Sequence, residues 1–130
     1  MRLLLDTHTF LWAVREPAKL SRRASDLLTD RDNELVVPSL VAWELAIKYH
    51  AGKLPEAEPV ITDYAATLLR LGAATLAMTH THMLHAGALS WAHRDPFDRL
   101  LAATAIIEGW PVVSCDAIFD AVADVRRLWD

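Results

Sequence analysis

The sequence predicts an α/β fold with a mostly parallel sheet, on two observations. Short apolar runs with strand character alternate along the chain with stretches of helical periodicity, and a capping or turn signal separates most neighbours. Strands joined through helices imply βα units with right-handed crossovers, and in such sheets a ligand site lies beyond the carboxyl ends of the strands.

Each element follows from its residues. Arg2 to Leu5 is a strand ending at Asp6, and Thr7 to Arg15 continues as an amphipathic helix stopped near Pro17. Ser21 is placed to cap a second helix through about Leu28. The polar turn Asp30 to Asn33 leads into the strand Glu34 to Val37, closed by Pro38. Ser39 is expected to cap a third helix that carries Trp43, Glu44 and Lys48 toward Gly52. Pro59 to Leu71 reads as one further helix, ended by Gly72. Ala74 to Met78 is a strand and Thr79 to Trp91 a helix. Asp95 as N-cap and Pro96 at the first helical position open the helix that runs to Gly109. Pro111 to Ser114 is a brief strand, Asp116 to Ala121 a single turn or short helix, and Val125 to Leu128 an edge strand.

At 130 residues the chain is expected to form a single domain, 1–130, whose core buries roughly two-thirds of the unfolded surface. Although 53% of the residues are hydrophobic, no apolar run approaches the roughly 18 residues of a membrane span. Asp6 interrupts the apolar start, which lacks a small-residue cleavage site, so this start reads as a strand and not a leader. The single cysteine, Cys115, excludes an internal disulfide and fits a cytoplasmic location. His80, His82 and His85 lack a common helical face and read as surface or capping residues. A net charge of −4 argues against indiscriminate polyanion binding.

The stretch His93 to Gly109 is the most informative. Counting on from Asp98 by three, four and seven reaches Leu101, Ala102 and Ala105, so its carboxylate shares a face with residues that should be buried. Asp95, by contrast, is read as a cap. Other acids converge on the same sheet edge by topology: Asp6 after the first strand, Glu44 on the helix after the second, and Asp116 after the Val112–Val113 strand. Each has a plainer alternative. Asp6 and Asp116 are also good caps, and Glu44 has Lys48 four positions on for an ion pair. Clustered carboxylates repel one another and are tolerated mainly around a divalent cation. With oxygen ligands and no Cys/His set, Mg²⁺ or Mn²⁺ is expected rather than zinc.

Four segments carry a resemblance: LLLDTHTFLW at 3–12, SLVAWELAIKYHAGKL at 39–54, HRDPFDRLLAATA at 93–105 and VVSCDAIF at 112–119. In order and spacing the chain resembles PIN-domain proteins, specifically the VapC toxins of bacterial toxin–antitoxin pairs. The resemblance implies an α/β/α sandwich, a Mg²⁺-dependent ribonuclease and a VapB-type antitoxin that blocks it. It places the metal-site acids on Asp6, Glu44, Asp98 and Asp116, the same set reached from the strand ends. The last motif departs from the family by having Ser-Cys before Asp116.

The expected chemistry is metal-assisted hydrolysis of an RNA phosphodiester, with Asp6, Asp98 and Asp116 holding one or two ions that polarise the phosphate and activate water. Glu44 would complete the shell or orient that water. Arg94 and Arg99 flank the acids as candidates for substrate phosphates, against the plainer reading of solvated counter-charges. Thr7 and Ser39 are read first as caps. Trp12 and Trp43 are candidates to line a groove for an antitoxin helix or a second protomer, against ordinary core packing. The partners that the resemblance implies are a cognate antitoxin, an RNA substrate of the transfer or ribosomal class, and a second copy in a homodimer.

Three other classes share parts of this pattern. A phosphoacceptor of the receiver type needs paired acids after the first strand and an aspartate where Thr79 stands. A phosphatase with an aspartate nucleophile needs a second aspartate where His8 stands. A catalytically silent PIN-like module that only binds RNA or protein is the remaining alternative, which residue identity alone does not dismiss.

Overall fold

The computed structural model describes all 130 residues. Its strands are β1 (Arg2–Leu5), β2 (Glu34–Pro38), β3 (Ala73–Leu76), β4 (Val112–Val113) and β5 (Arg127–Leu128). They form one sheet in the order β3-β2-β1-β4-β5, every pair parallel. The helices are α1 (Thr7–Arg15), α2 (Arg22–Thr29), α3 (Ser39–His50), α4 (Glu58–Thr62), α5 (Tyr64–Leu71), α6 (His80–Ala88) and α7 (Pro96–Glu108), with short 3-10 turns at Pro17–Lys19, Pro55–Ala57 and Ala117–Ala121.

The topology gives the sandwich its layers. Connections β1→β2→β3 step across the sheet in one direction, and β3→β4 returns past β1 in the other. Right-handed crossovers therefore put α1 to α5 on one face and α6 with α7 on the opposite face. The three-layer α/β/α arrangement expected from the sequence is the one observed. The direction of progression reverses between β1 and β4, which opens a crevice beyond their carboxyl ends.

The core explains why β1 is central. Leu3, Leu4 and Leu5 are fully buried, as are Phe10 of α1, Val37 of β2, Val112 and Val113 of β4, and Phe119. A strand covered on both faces reads as a continuous apolar run and not as an alternation, as LLL does. Leu4→Ala is expected to destabilise the protein by about 3 kcal/mol, the usual cost of a core cavity at a site with little room to relax; urea denaturation measures it.

Several boundaries differ from the sequence expectation. The predicted helix Pro59 to Leu71 is two helices, because Asp63 leaves the helical region (φ −135°, ψ 56°) and restarts the chain as the N-cap of α5. The Asp63 side chain makes no cap hydrogen bond, and its carbonyl accepts the Thr67 N–H at 2.9 Å as the first bond of the new helix. Gly72 ends α5 at φ 73°, the left-handed conformation that glycine takes without strain. Ser39 is not a cap: Pro38 occupies that position, and the Ser39 hydroxyl accepts the Met78 N–H at 3.1 Å, tying α3 to the chain after β3. The strands β3, β4 and β5 are shorter than expected or begin later.

The helix predicted over Thr79 to Trp91 stops at Ala88. Its end is drawn out by Arg99, whose guanidinium donates to the carbonyls of Ala86 (3.0 Å), Gly87 (3.4 Å), Leu89 (2.7 Å), Trp91 (2.6 Å) and His93 (3.0 Å). At its other end the helix begins at His80, with Thr79 as its cap. His82 closes a capping box with Thr79 and is buried, its Nε2 3.0 Å from Glu108 of α7. Of the three histidines read as surface or capping residues, His82 is a cap but not on the surface.

Candidate active site

A cleft of about 520 Å³ opens at the crevice between β1 and β4, and Asp6, Glu44, Asp98 and Asp116 all line it, together with Asp95 and Lys48. Four segments far apart in sequence thus supply acids to one cavity because each follows a strand or starts a helix at the same sheet edge.

Asp6 follows β1 and caps α1, its Oδ1 accepting the Thr9 N–H at 2.9 Å. Its Oδ2 accepts the Ser114 hydroxyl at 2.5 Å. That hydroxyl also accepts the Asp116 N–H at 3.0 Å, so one buried serine after β4 ties the Asp6 carboxylate to the loop bearing Asp116. Burial pushes the Asp6 carboxyl above the ordinary range, and the hydrogen bonds from Ser114 and Thr9 oppose it in part.

Glu44 points inward from α3 and is 7% exposed. Its Oε1 accepts the Thr7 hydroxyl at 2.5 Å and its Oε2 accepts the Lys48 ammonium. Both sequence readings of Glu44 therefore hold together: it faces the cleft and pairs with the residue four positions on. Thr7, read as a cap, instead buries its hydroxyl against this carboxylate.

Asp98 stands in the first turn of α7, half-buried, above the buried Leu101, Ala102 and Ala105 as the helical count predicts. Its Oδ2 lies 2.7 Å from His93 Nε2. Desolvation raises its pKa above the usual carboxylate value; the His93 hydrogen bond opposes that rise, and the charges of Asp95 and Glu44 add to it. Asp95 is the N-cap of α7, its Oδ1 accepting from Phe97 N (2.9 Å) and Asp98 N (3.2 Å). Asp116 is exposed and caps the 3-10 turn through Ile118 N at 3.0 Å.

The donor set is all oxygen and suits a hard dication. A carboxylate has about four lone-pair sites, and none of the four acids accepts more than two hydrogen bonds, so each keeps capacity for a cation. As placed, each acid is turned toward its own protein partner, and no three Asp, Glu, His or Cys side chains stand close enough to enclose an ion.

Arg99 does not line the cleft: its guanidinium is spent on the five carbonyls described above. Arg94 remains exposed beside the cleft. Trp12 lines the cleft with its ring 5.5 Å from His8 and 6.1 Å from Trp129, whereas Trp43 is 57% exposed and meets Phe97 edge-on at 5.0 Å. Sequence reasoning missed the acid-holding roles of His93 and Ser114. The position of His93, five residues before Asp98 and across a loop, carries no helical or strand periodicity that would pair the two.

The fold and site define a class: a small α/β domain that presents separate carboxylates at the switch point of a parallel sheet. The family model described as "PIN domain" matches residues 3–125. The chain is 36% identical over 117 residues to "Ribonuclease VapC22" of Mycobacterium tuberculosis (strain ATCC 25618 / H37Rv), covering 88% of this chain and 86% of that protein. Among solved structures, VapBC2 from Rickettsia felis bound to a DNA fragment from its promoter superposes with a TM-score of 0.72 at 19% identity, covering both chains fully. DNA-bound VapBC from Salmonella typhimurium gives 0.70 at 21% identity, covering 98% of this chain and 97% of that chain. The chain belongs to the PIN-domain family, in its VapC branch. No helix is long and apolar enough to cross a membrane.

Proposed function

We propose that the chain is a Mg²⁺-dependent endoribonuclease acting as the toxin of a toxin–antitoxin pair, with the cleft as its active site. The observation that carries this reading is the convergence of Asp6, Glu44, Asp98 and Asp116 on one cavity at the switch point. Its relative VapC22 bears the name of a ribonuclease, which supports the substrate class.

Asp6, Asp98 and Asp116 would hold the dication, and Mn²⁺ would serve in its place. When bound, the ion supplies charge neutralisation at the scissile phosphate and lowers the pKa of a water. The protein's own residues prepare for it. Ser114 fixes Asp6 in register with the Asp116 loop, and Thr7 with Lys48 holds the Glu44 carboxylate in place in the cleft. Raised carboxyl pKa values at Asp6 and Asp98 are the cost of gathering acids in a partly dry site, a cost that a cation relieves. Saturating Mn²⁺ is therefore expected to raise the melting temperature by several degrees at pH 7, and by progressively less as the pH is lowered, because protonation of the acids competes with the ion. A thermal scan with and without EDTA checks this.

The VapBC complexes among its structural neighbours support an antitoxin as partner; in this reading it is of the VapB type, meets the chain in the cytoplasm and blocks the cleft. The exposed Trp43 and Ile47, one turn apart on α3, are candidates for a homodimer or antitoxin contact. Light scattering after size exclusion, alone and co-expressed with the neighbouring reading frame, tests both; a monomer that binds nothing contradicts them.

The activity is tested by incubating purified protein with total RNA and Mg²⁺ and sequencing the new 5′ ends. Cuts at a few positions in transfer or ribosomal RNA, absent with EDTA, are the expected result. Intact RNA despite Mn²⁺ binding would favour a silent binding module.

A further inference from the structure

We propose that His93 is the positioning residue for Asp98, and that Arg99 fixes the backbone from which His93 reaches it. The inference rests on the reading of Asp98 as a metal-site acid. The geometry forms a chain. Arg99 Nη1 donates to the carbonyl of His93 at 3.0 Å and to that of Trp91 at 2.6 Å, which pins the loop between α6 and α7 from both sides of Ala92. The His93 ring then packs against the Trp91 ring with centroids 5.0 Å apart, and its Nε2 meets Asp98 Oδ2 at 2.7 Å.

This differs from a loose surface ion pair in two respects. Both side chains are only 26% exposed, and the imidazole is held on one side by an aromatic ring and at its backbone by a guanidinium, so little rotamer freedom remains to be lost. The bond leaves the other oxygen, Oδ1, without a side-chain hydrogen bond, and so available to a cation. Carboxylates that bind metals are commonly held by such an outer partner, whose loss costs about 10–100-fold in metal affinity or activity. Arg99, a candidate for substrate phosphate or a solvated counter-charge on sequence grounds, thus serves the site from behind, through a loop.

The test measures Mn²⁺ affinity by calorimetry, and kcat and KM for RNA cleavage, in wild type, His93→Leu, His93→Gln and Asp98→Asn, each normalised to folded protein by thermal melting. His93→Leu is expected to lose about 10–100-fold in both kcat and Mn²⁺ affinity with KM within twofold. His93→Gln, which restores an N–H donor at similar reach, is expected to recover most of both. Unchanged values in His93→Leu, or an equal loss in His93→Gln, overturn the inference. Should His93→Leu fail to fold, His93→Gln is compared with His93→Asn, whose amide is one methylene shorter; equal values again overturn it. Asp98→Asn keeps the two readings apart. If it still cleaves and binds Mn²⁺, the reading of Asp98 as a metal-site acid fails; if it is inactive while His93→Leu is intact, only the positioning of Asp98 by His93 fails.

Discussion

Asp98→Asn is expected to lose RNA cleavage by at least about 10³-fold, equivalent to about 4 kcal/mol of transition-state stabilisation, while its fold survives. The two halves of that result have separate causes. Catalysis falls because an amide is a poor ligand for a hard cation and carries no charge to hold one over the scissile phosphate. Stability does not fall because the carboxylate is a burden on the metal-free protein: desolvation and the charges of Asp95 and Glu44 raise its pKa above the unfolded value of 3.8, with the His93 bond only partly opposing them. The folded state therefore binds more protons than the unfolded state between those two pKa values. Stability in EDTA consequently declines as pH rises through that interval and is lowest above it. The variant removes this cost, so in EDTA at pH 7 it is expected to melt at or above the wild-type temperature and to show a flatter pH profile above the unfolded value. Asp6, whose pKa burial also raises, should behave in the same way. An Asp98→Asn protein that cleaves normally at controlled metal concentration would contradict the assignment.

The second large effect is expected at Arg99. Its side chain supplies hydrogen bonds to five carbonyls between Ala86 and His93, and no carboxylate partner competes for it. Each charge-assisted bond is worth roughly 1.5–3 kcal/mol in isolation, but the five share one side chain, and a freed loop recovers part of the loss by hydration. Arg99→Ala is accordingly expected to cost about 2–4 kcal/mol in urea denaturation. Arg99→Lys should recover less than half, because an ammonium has three donors on one atom and cannot span carbonyls spread along the loop. A loss below about 0.5 kcal/mol, the range of ordinary surface substitutions, would show that the loop holds its shape without the arginine.

These two residues, three and four positions after Asp95, mark where the sequence was legible and where it was not. Asp98 was legible because its neighbours repeat with helical period, so a carboxylate in line with Leu101, Ala102 and Ala105 stands out. Asp6 and Asp116 were legible because apolar strands end at or just before them, and parallel topology sends strand ends to one edge. Arg99 was misread because its acceptors are backbone carbonyls, which have no sequence signature, and a basic residue near acids invites an electrostatic reading. The pairing of His93 with Asp98 depends on the loop that Arg99 shapes, so it was hidden for the same reason. Likewise the break at Asp63 is set by one backbone conformation within an otherwise helical composition. Local periodicity thus conveyed the elements and their acids, while contacts made through the backbone emerged only in three dimensions.

The account depends on four acids from distant segments acting as one cation site. Calorimetric titration of Mn²⁺ into the wild-type protein and into Asp6→Asn, Glu44→Gln, Asp98→Asn and Asp116→Asn tests this most directly. Saturable binding by the wild type, weakened at least about tenfold in each variant, is the predicted result. Wild-type affinity in the Asp6 and Asp98 variants, or no binding by the wild type at all, would contradict it.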